Sequence, residues 1–159
     1  MRDAVTAYVA LGANLGDAAQ AVQGAITAIA QLPECELTRR SSLYRTAPID
    51  SSGPDYINAV VEVSTRLNAL ELLAQLQGLE QGAGRERPWR NAPRTLDLDL
   101  LLYGSGRIVS ARLQVPHARM TQRAFVLVPL AEIAPHLVST AQLQAVADQT
   151  LTRLPPRLI

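Results

Sequence analysis

The stretch Pro93-Arg94-Thr95-Leu96-Asp97-Leu98-Asp99-Leu100-Leu101-Leu102-Tyr103 sets two carboxylates inside one of the most apolar segments of the chain. Leucines at every second position read as a strand with one buried face, which turns Asp97 and Asp99 to the other face, roughly 7 Å apart at Cα. Aspartate is depleted from strands, and two like charges side by side repel unless a cation lies between them. Paired hard oxygen ligands suit Mg²⁺, which takes one or two protein carboxylates and completes its shell with water and phosphate. The alternation by itself also fits an edge strand whose polar face is simply solvated. Arg85, Arg87, Arg90 and Arg94 stand directly before the pair. Their planar guanidinium groups can grip phosphate oxygens in bidentate fashion, which favours the metal and phosphate reading.

Working back from this strand gives the fold. Val5–Leu11 reads as a strand ended by Gly12-Ala13-Asn14-Leu15-Gly16. Asp17 offers an N-cap with Gln20 three residues later, Val22, Ile26 and Ile29 recur at helical spacing, and Pro33 closes the helix. Segments 37–45 and 58–65 read as strands around a loop, 46–55, that holds Pro48, Gly53 and Pro54. Asn68 with Glu71 opens a second helix along Leu72, Leu76 and Leu79, stopped by Gly82-Ala83-Gly84. After the Asp97/Asp99 strand, Gly104-Ser105-Gly106 turns the chain into a short strand at Ile108-Val109. Further helices are expected over 120–128 and 141–151.

The first six elements run β-α-β-β-α-β, the order of an α+β, ferredoxin-like sandwich. A mainly antiparallel sheet with helices packed on one side is expected, followed by a C-terminal extension. With 159 residues and no repeat, low-complexity tract or linker, residues 1–159 read as one domain.

Composition narrows the function. All fifteen basic residues are arginine, and net charge is +1, so no general attraction to nucleic acid or anionic membrane is expected. Cys35 is the lone cysteine, which excludes an internal disulfide and a cysteine metal cluster. No leader pattern and no apolar run near membrane-spanning length is seen, so a cytoplasmic protein is expected. There is no lysine to complete a Walker A loop, and no Gly-x-Ser-x-Gly or His-Glu-x-x-His pattern. A nucleotide triphosphate would therefore be held through metal and arginine. A second cationic segment carries Arg112, His117, Arg119 and Arg123.

Six ordered blocks carry a resemblance. They are Ala10-Leu11-Gly12-Ala13-Asn14-Leu15-Gly16, Ser42-Leu43-Tyr44-Arg45-Thr46-Ala47-Pro48, Pro54-Asp55-Tyr56-Ile57-Asn58-Ala59, Pro93 through Asp99, Val115-Pro116-His117, and Arg123 through Pro135. Over residues 8 to about 138 the chain resembles the 6-hydroxymethyl-7,8-dihydropterin pyrophosphokinases, folate-pathway enzymes that move a diphosphate from ATP to a pterin alcohol. The resemblance implies that Asp97 and Asp99 hold two Mg²⁺ ions and that Arg85 and Arg94 assist transfer. It implies pterin contacts from Thr46, Pro48 and Asn58, with the ring between Tyr56 and Phe125. Gln77, Glu80, Arg87, Arg90, Arg112, His117 and Arg123 match positions around ATP. The partners expected are the small-molecule substrates ATP and the pterin alcohol, with no nucleic acid or membrane, and a monomer is expected. The chain departs from some relatives at Asn91-Ala92-Pro93, where Trp89 stands two positions earlier, and at Gln114 and Ala118. Two rival readings share parts of this pattern: another two-metal nucleotidyl or phosphoryl transferase on a ferredoxin-like scaffold, and a non-catalytic binding module. The first has no use for a ring sandwich at Tyr56, Asn58 and Phe125. The second leaves the polar loops as solvent decoration.

Overall fold

The computed structural model describes residues 3–14, 16–47, 54–84 and 96–155. Strands β1 (Val5–Ala13), β4 (Tyr56–Thr65) and β5 (Asp97–Tyr103) form the centre and one edge of a six-stranded antiparallel sheet in the order β5-β1-β4-β3-β8. β2 (Cys35–Arg40) and β3 (Tyr44–Thr46) lie end to end along β4, and β8 (Leu151–Arg153) adds to β3. The expected continuous strand over 37–45 is thus two strands. At the break the Ser41 hydroxyl accepts from the Val60 N–H, and the Ser41 N–H donates to the Val60 carbonyl.

Helices α1 (Ala18–Ala30) and α2 (Ala69–Gly84) begin where the capping residues direct. The Asp17 carboxylate accepts from the Gln20 N–H, and Asn68 and Glu71 exchange side-chain-to-backbone bonds in a reciprocal box. α2 runs through Gly82 to Gly84, the last residue of the segment expected to stop it.

Strand parity sorts the core into two. Ala7, Val9, Leu11 and Ala13 of β1, Ile57, Ala59, Val61 and Val63 of β4, and Leu98 and Leu100 of β5 pack with Val22, Ile26 and Ile29 of α1 and Leu72 and Leu76 of α2. Tyr8, Val60 and Leu101 point to the opposite face, under α3 (Ala124–Ile133). Helices therefore cover both faces, not one: the βαββαβ unit supplies α1 and α2, and the C-terminal extension brings α3 around to the second face.

The extension differs from its expected form. Met120–Gln122 is a 3₁₀ turn, Arg123 is extended, and α3 then runs through Pro129 to Ile133. Proline in a helix removes one backbone donor. Burial of Leu130 and Ile133 beyond it outweighs that loss. The expected helix over 141–151 is a single short α4 (Thr140–Ala145), begun by a Ser139/Gln142 capping box, and then β8, whose Leu151 pairs with Thr46. The Ile108–Val109 strand (β6) does not return along β5. It pairs with β7 (Gln114–Val115) in a separate two-stranded sheet. Among the described residues no helix is long and apolar enough to cross a membrane.

Candidate active site

Among the described residues, Asp97, Asp99, Thr46, Tyr56, Asn58 and Phe125 lie on the α3 side of the sheet, whereas Gln77 and Glu80 lie on α2, which packs on the other face. β5 enters the sheet with Leu96, Leu98 and Leu100 buried, so alternation carries Asp97 and Asp99 to the opposite face, Asp97 half-buried and Asp99 exposed. Register fixes their neighbours. Gly12 of β1 lies between Asp97 on one side and Asn58 on the other, and Asn58 in turn pairs with Tyr44. One row across the sheet thus reads Asp97, Gly12, Asn58, Tyr44. Strands are about 4.8 Å apart, which puts Asp97 and Asn58 roughly 10 Å apart at the backbone. The next row reads Asp99, Ala10, Val60.

Asn58 is 5% exposed and Thr46 7%. The Asn58 amide Nδ2 donates to the Thr46 hydroxyl at 2.8 Å, which sets which way the amide faces. Thr46 pairs with Tyr56 across β3 and β4, so three of the expected pterin residues share one corner. Phe125 in the first turn of α3 is half-buried on this same face, and the Arg123 guanidinium carbon lies 5.4 Å from its ring centroid, a cation–π arrangement.

The cationic segment after β5 is tied back to it: the His117 N–H donates to the carbonyl of Leu101, and His117 Nδ1 accepts from the Arg119 N–H. Arg112 is exposed there. On α2, Gln77 is exposed, and Glu80 is half-buried with its carboxylate accepting the Leu98 N–H at 2.7 Å. That amide belongs to the edge strand, between the two aspartates. Pro48, Arg85, Arg87, Arg90 and Arg94 lie outside the described residues, as does the loop carrying Trp89.

Two hydrogen-bonded clusters on the α3 face are centred on glutamates outside the expected site residues. Glu132 of α3 accepts from the Ser42 N–H and hydroxyl, the Tyr44 hydroxyl and Arg153 Nη2. Burial pushes the Glu132 carboxyl up, but the bonds from Tyr44 and Ser42 and the charge of Arg153 outweigh it and hold it below the ordinary range. Burial and the bond to Glu132 raise Tyr44 in turn. Nearer the centre, the Tyr8 hydroxyl donates to Glu62 at 2.5 Å, and burial followed by that bond pushes Tyr8 up to about 12. The signal for both was a lone glutamate on an otherwise apolar surface, in Leu130-Ala131-Glu132-Ile133 and Val60-Val61-Glu62-Val63. A cleft of about 720 Å³ at the β3 and β8 edge, lined by Gln23, Arg40, Ser42, Arg45 and Glu132 among others, contains none of the expected site residues.

A family model described as 7,8-dihydro-6-hydroxymethylpterin-pyrophosphokinase matches residues 8–135. The chain is 43% identical over 159 residues to the 2-amino-4-hydroxy-6-hydroxymethyldihydropteridine pyrophosphokinase of Haemophilus influenzae, covering 96% of this chain and 99% of that protein. It is 46% identical over 131 residues to the protein of that name from Pseudomonas aeruginosa, covering 82% and 81%. Among solved structures, the Plasmodium falciparum HPPK-DHPS wild type with pterin and p-hydroxybenzoate superposes with a TM-score of 0.66 at 14% identity. That match covers 85% of this chain and 40% of the longer one, and it speaks to the fold alone.

Proposed function

The chain belongs to the 7,8-dihydro-6-hydroxymethylpterin-pyrophosphokinase family, and on that footing we propose that it transfers diphosphate from ATP to 6-hydroxymethyl-7,8-dihydropterin. The products are AMP and the pterin diphosphate, a step of folate synthesis. The observation that carries this reading is the row Asp97, Gly12, Asn58: an acidic pair and a buried, oriented amide, one glycine apart on the same face.

In this reading the pterin ring lies at the Asn58 and Thr46 corner, held by the amide, by Thr46 and Pro48, and between the rings of Tyr56 and Phe125. Its hydroxymethyl arm then extends along the row toward Asp97 and Asp99. The hydroxymethyl oxygen attacks the β-phosphorus, the bond from that phosphorus to the oxygen bridging the α-phosphate breaks, and AMP leaves with that oxygen. Arg85 and Arg94 take charge from the transferring group, while Gln77, Glu80, Arg87, Arg90, Arg112, His117 and Arg123 surround the nucleotide.

The donor set suits Mg²⁺. Asp97 and Asp99 are hard oxygen ligands side by side on an edge strand, and the described residues hold no group of three or more His, Cys, Asp or Glu that would form an all-protein cage. Magnesium favours such sparse sites and keeps water and phosphate in its shell. Two ions held there would neutralise phosphate charge and lower the pKa of the substrate alcohol. The enzyme is further proposed to work as a monomer in the cytoplasm, on small molecules only.

The test is product analysis. Purified protein with ATP, Mg²⁺ and the pterin alcohol should release AMP in step with pterin diphosphate, and omission of any one should abolish it. Formation of ADP, or AMP release that ignores the pterin, would overturn the assignment.

A further inference from the structure

Gly12 occupies the middle of the site row, and none of the usual backbone reasons for glycine applies to it. Its φ is outside the left-handed region, where only Gly16 and Gly104 are found among the described glycines. The register of β1 against β4 is unbroken through Gly12, and the irregularity against β5 falls between Tyr8 and Val9. Glycine inside a regular strand weakens it and marks a place where something must approach closely.

What approaches is the Asn58 carboxamide. A Cβ built on Gly12 would lie 3.0 Å from Asn58 Oδ1; among the described residues, its chain neighbours aside, the one other atom within 4 Å is the Ile57 carbonyl oxygen at 4.0 Å. The amide cannot rotate away without cost, because Nδ2 is committed to Thr46. That commitment aims Oδ1 over Gly12. Asn58 is more than nine-tenths buried, yet Oδ1 has no hydrogen-bond partner among the described residues. A buried acceptor left unmade is expensive, so a site that retains one is built for a donor that arrives from outside.

We propose that Gly12 is the specificity-determining position of this site: by omitting a Cβ it keeps the Asn58 carbonyl oxygen open to a ring N–H or amino donor of the heterocyclic substrate. Gly12 acts through Asn58 and is a positioning residue. The inference rests on the pterin reading above and adds to it the residue that makes the amide usable.

Gly12→Ala, Asn58→Ala and the double variant test it by calorimetric titration with the pterin alcohol in the presence of a non-hydrolysable ATP analogue and Mg²⁺. Gly12→Ala should weaken pterin binding by about tenfold or more, the cost of covering or displacing a buried acceptor, with affinity for the nucleotide analogue within about twofold. Asn58→Ala should lose a similar factor. The double variant should be no more than about twofold weaker than Asn58→Ala, because the oxygen that the new Cβ meets is gone. Pterin binding by Gly12→Ala within twofold of wild type, equal losses for pterin and nucleotide, or full additivity of the two substitutions would each overturn the proposal. If Gly12→Ala alone does not fold, the double variant should fold and bind pterin as Asn58→Ala does; a double variant that also fails to fold overturns it. Absence of pterin-dependent AMP formation by the wild type would instead remove the functional reading on which it rests.

Discussion

On the α1 and α2 face, alternate positions of β1 read Ala7, Val9, Leu11, Ala13, and every one is in the core. On the other face the intervening positions read Tyr8, Ala10, Gly12, of which Tyr8 is packed and Ala10 and Gly12 are only half-buried. β4 repeats the contrast: Ile57, Ala59, Val61 and Val63 point to one side, and Tyr56, Asn58, Val60 and Glu62 to the other. The first face is apolar from end to end and serves stability. The second is divided along its length: α3 seals its lower half over Tyr8, Val60 and Leu101, and the upper half carries the polar side chains of Asn58, Asp97 and Asp99. A sheet with both faces covered can host chemistry only where one cover stops short.

That contrast can be broken by substituting one residue on each face. Asp97→Ala on the site face should cut AMP formation at saturating Mg²⁺ by about a thousandfold, roughly 4 kcal/mol of transition-state charge stabilisation, while the melting temperature hardly moves. Turnover within tenfold of wild type would remove Asp97 from the metal site. Leu72→Ala, at a position with no solvent exposure in the apolar core, should do the reverse. It should cost about 2–5 kcal/mol in urea unfolding and leave pterin and ATP affinity per folded molecule unchanged.

Glu80 sharpens the comparison because it reaches across it, from α2 on the stable face to the backbone between the two aspartates. Loss of its carboxylate in Glu80→Ala should raise the Mg²⁺ concentration for half-maximal rate about tenfold, in line with a hydrogen bond to a charged group. Glu80→Gln keeps an acceptor oxygen and should stay within about threefold. Both variants should also raise the KM for ATP, since Glu80 is proposed to face the nucleotide; variants with wild-type Mg²⁺ dependence and wild-type KM would remove Glu80 from the site.

The smallest effect expected is on pH dependence. Glu132 is held below its ordinary value, so its contribution is complete above the unfolded carboxylate pKa of about 4.3 and is lost as pH falls through the lowered folded value. Tyr8 runs the other way, contributing fully below pH 10 and losing that contribution as pH rises toward about 12. Melting temperatures measured across pH should fall at both ends. The acid limb should be shallower in Glu132→Gln and the alkaline limb shallower in Tyr8→Phe. Wild-type slopes in those variants would detach the two clusters from stability.

Much of this was legible before the structure, for reasons that differ by residue. Asp17 and Asn68 announce their helices because capping is local: donor and acceptor are three residues apart. Leu98 and Leu100 give the face of Asp97 and Asp99 away because strand parity is local too. The sequence does not show that α3 runs through Pro129, since the burial that carries it onward depends on Tyr8 and Val60, more than sixty residues distant. The pairing of β6 with β7, and of β8 with β3, was hidden for the same reason: two- and three-residue strands have no periodicity to read. Gly12 lies in the motif Gly12-Ala13-Asn14-Leu15-Gly16, but its approach to the Asn58 amide is set by cross-strand pairing, which the motif does not reveal.

The irregularity on β5 has one more consequence. Opposite Tyr8 and Val9 the strand spends three residues, Leu100, Leu101 and Leu102, where regular pairing needs two. The spare residue resets the phase of the strand, so that Tyr103 can turn inward beside Ala7 with its hydroxyl on the Leu67 carbonyl while the acids four and six places earlier turn outward. Deleting Leu101 would force a choice between anchoring that tyrosine and presenting those acids. The chain keeps both by counting to three.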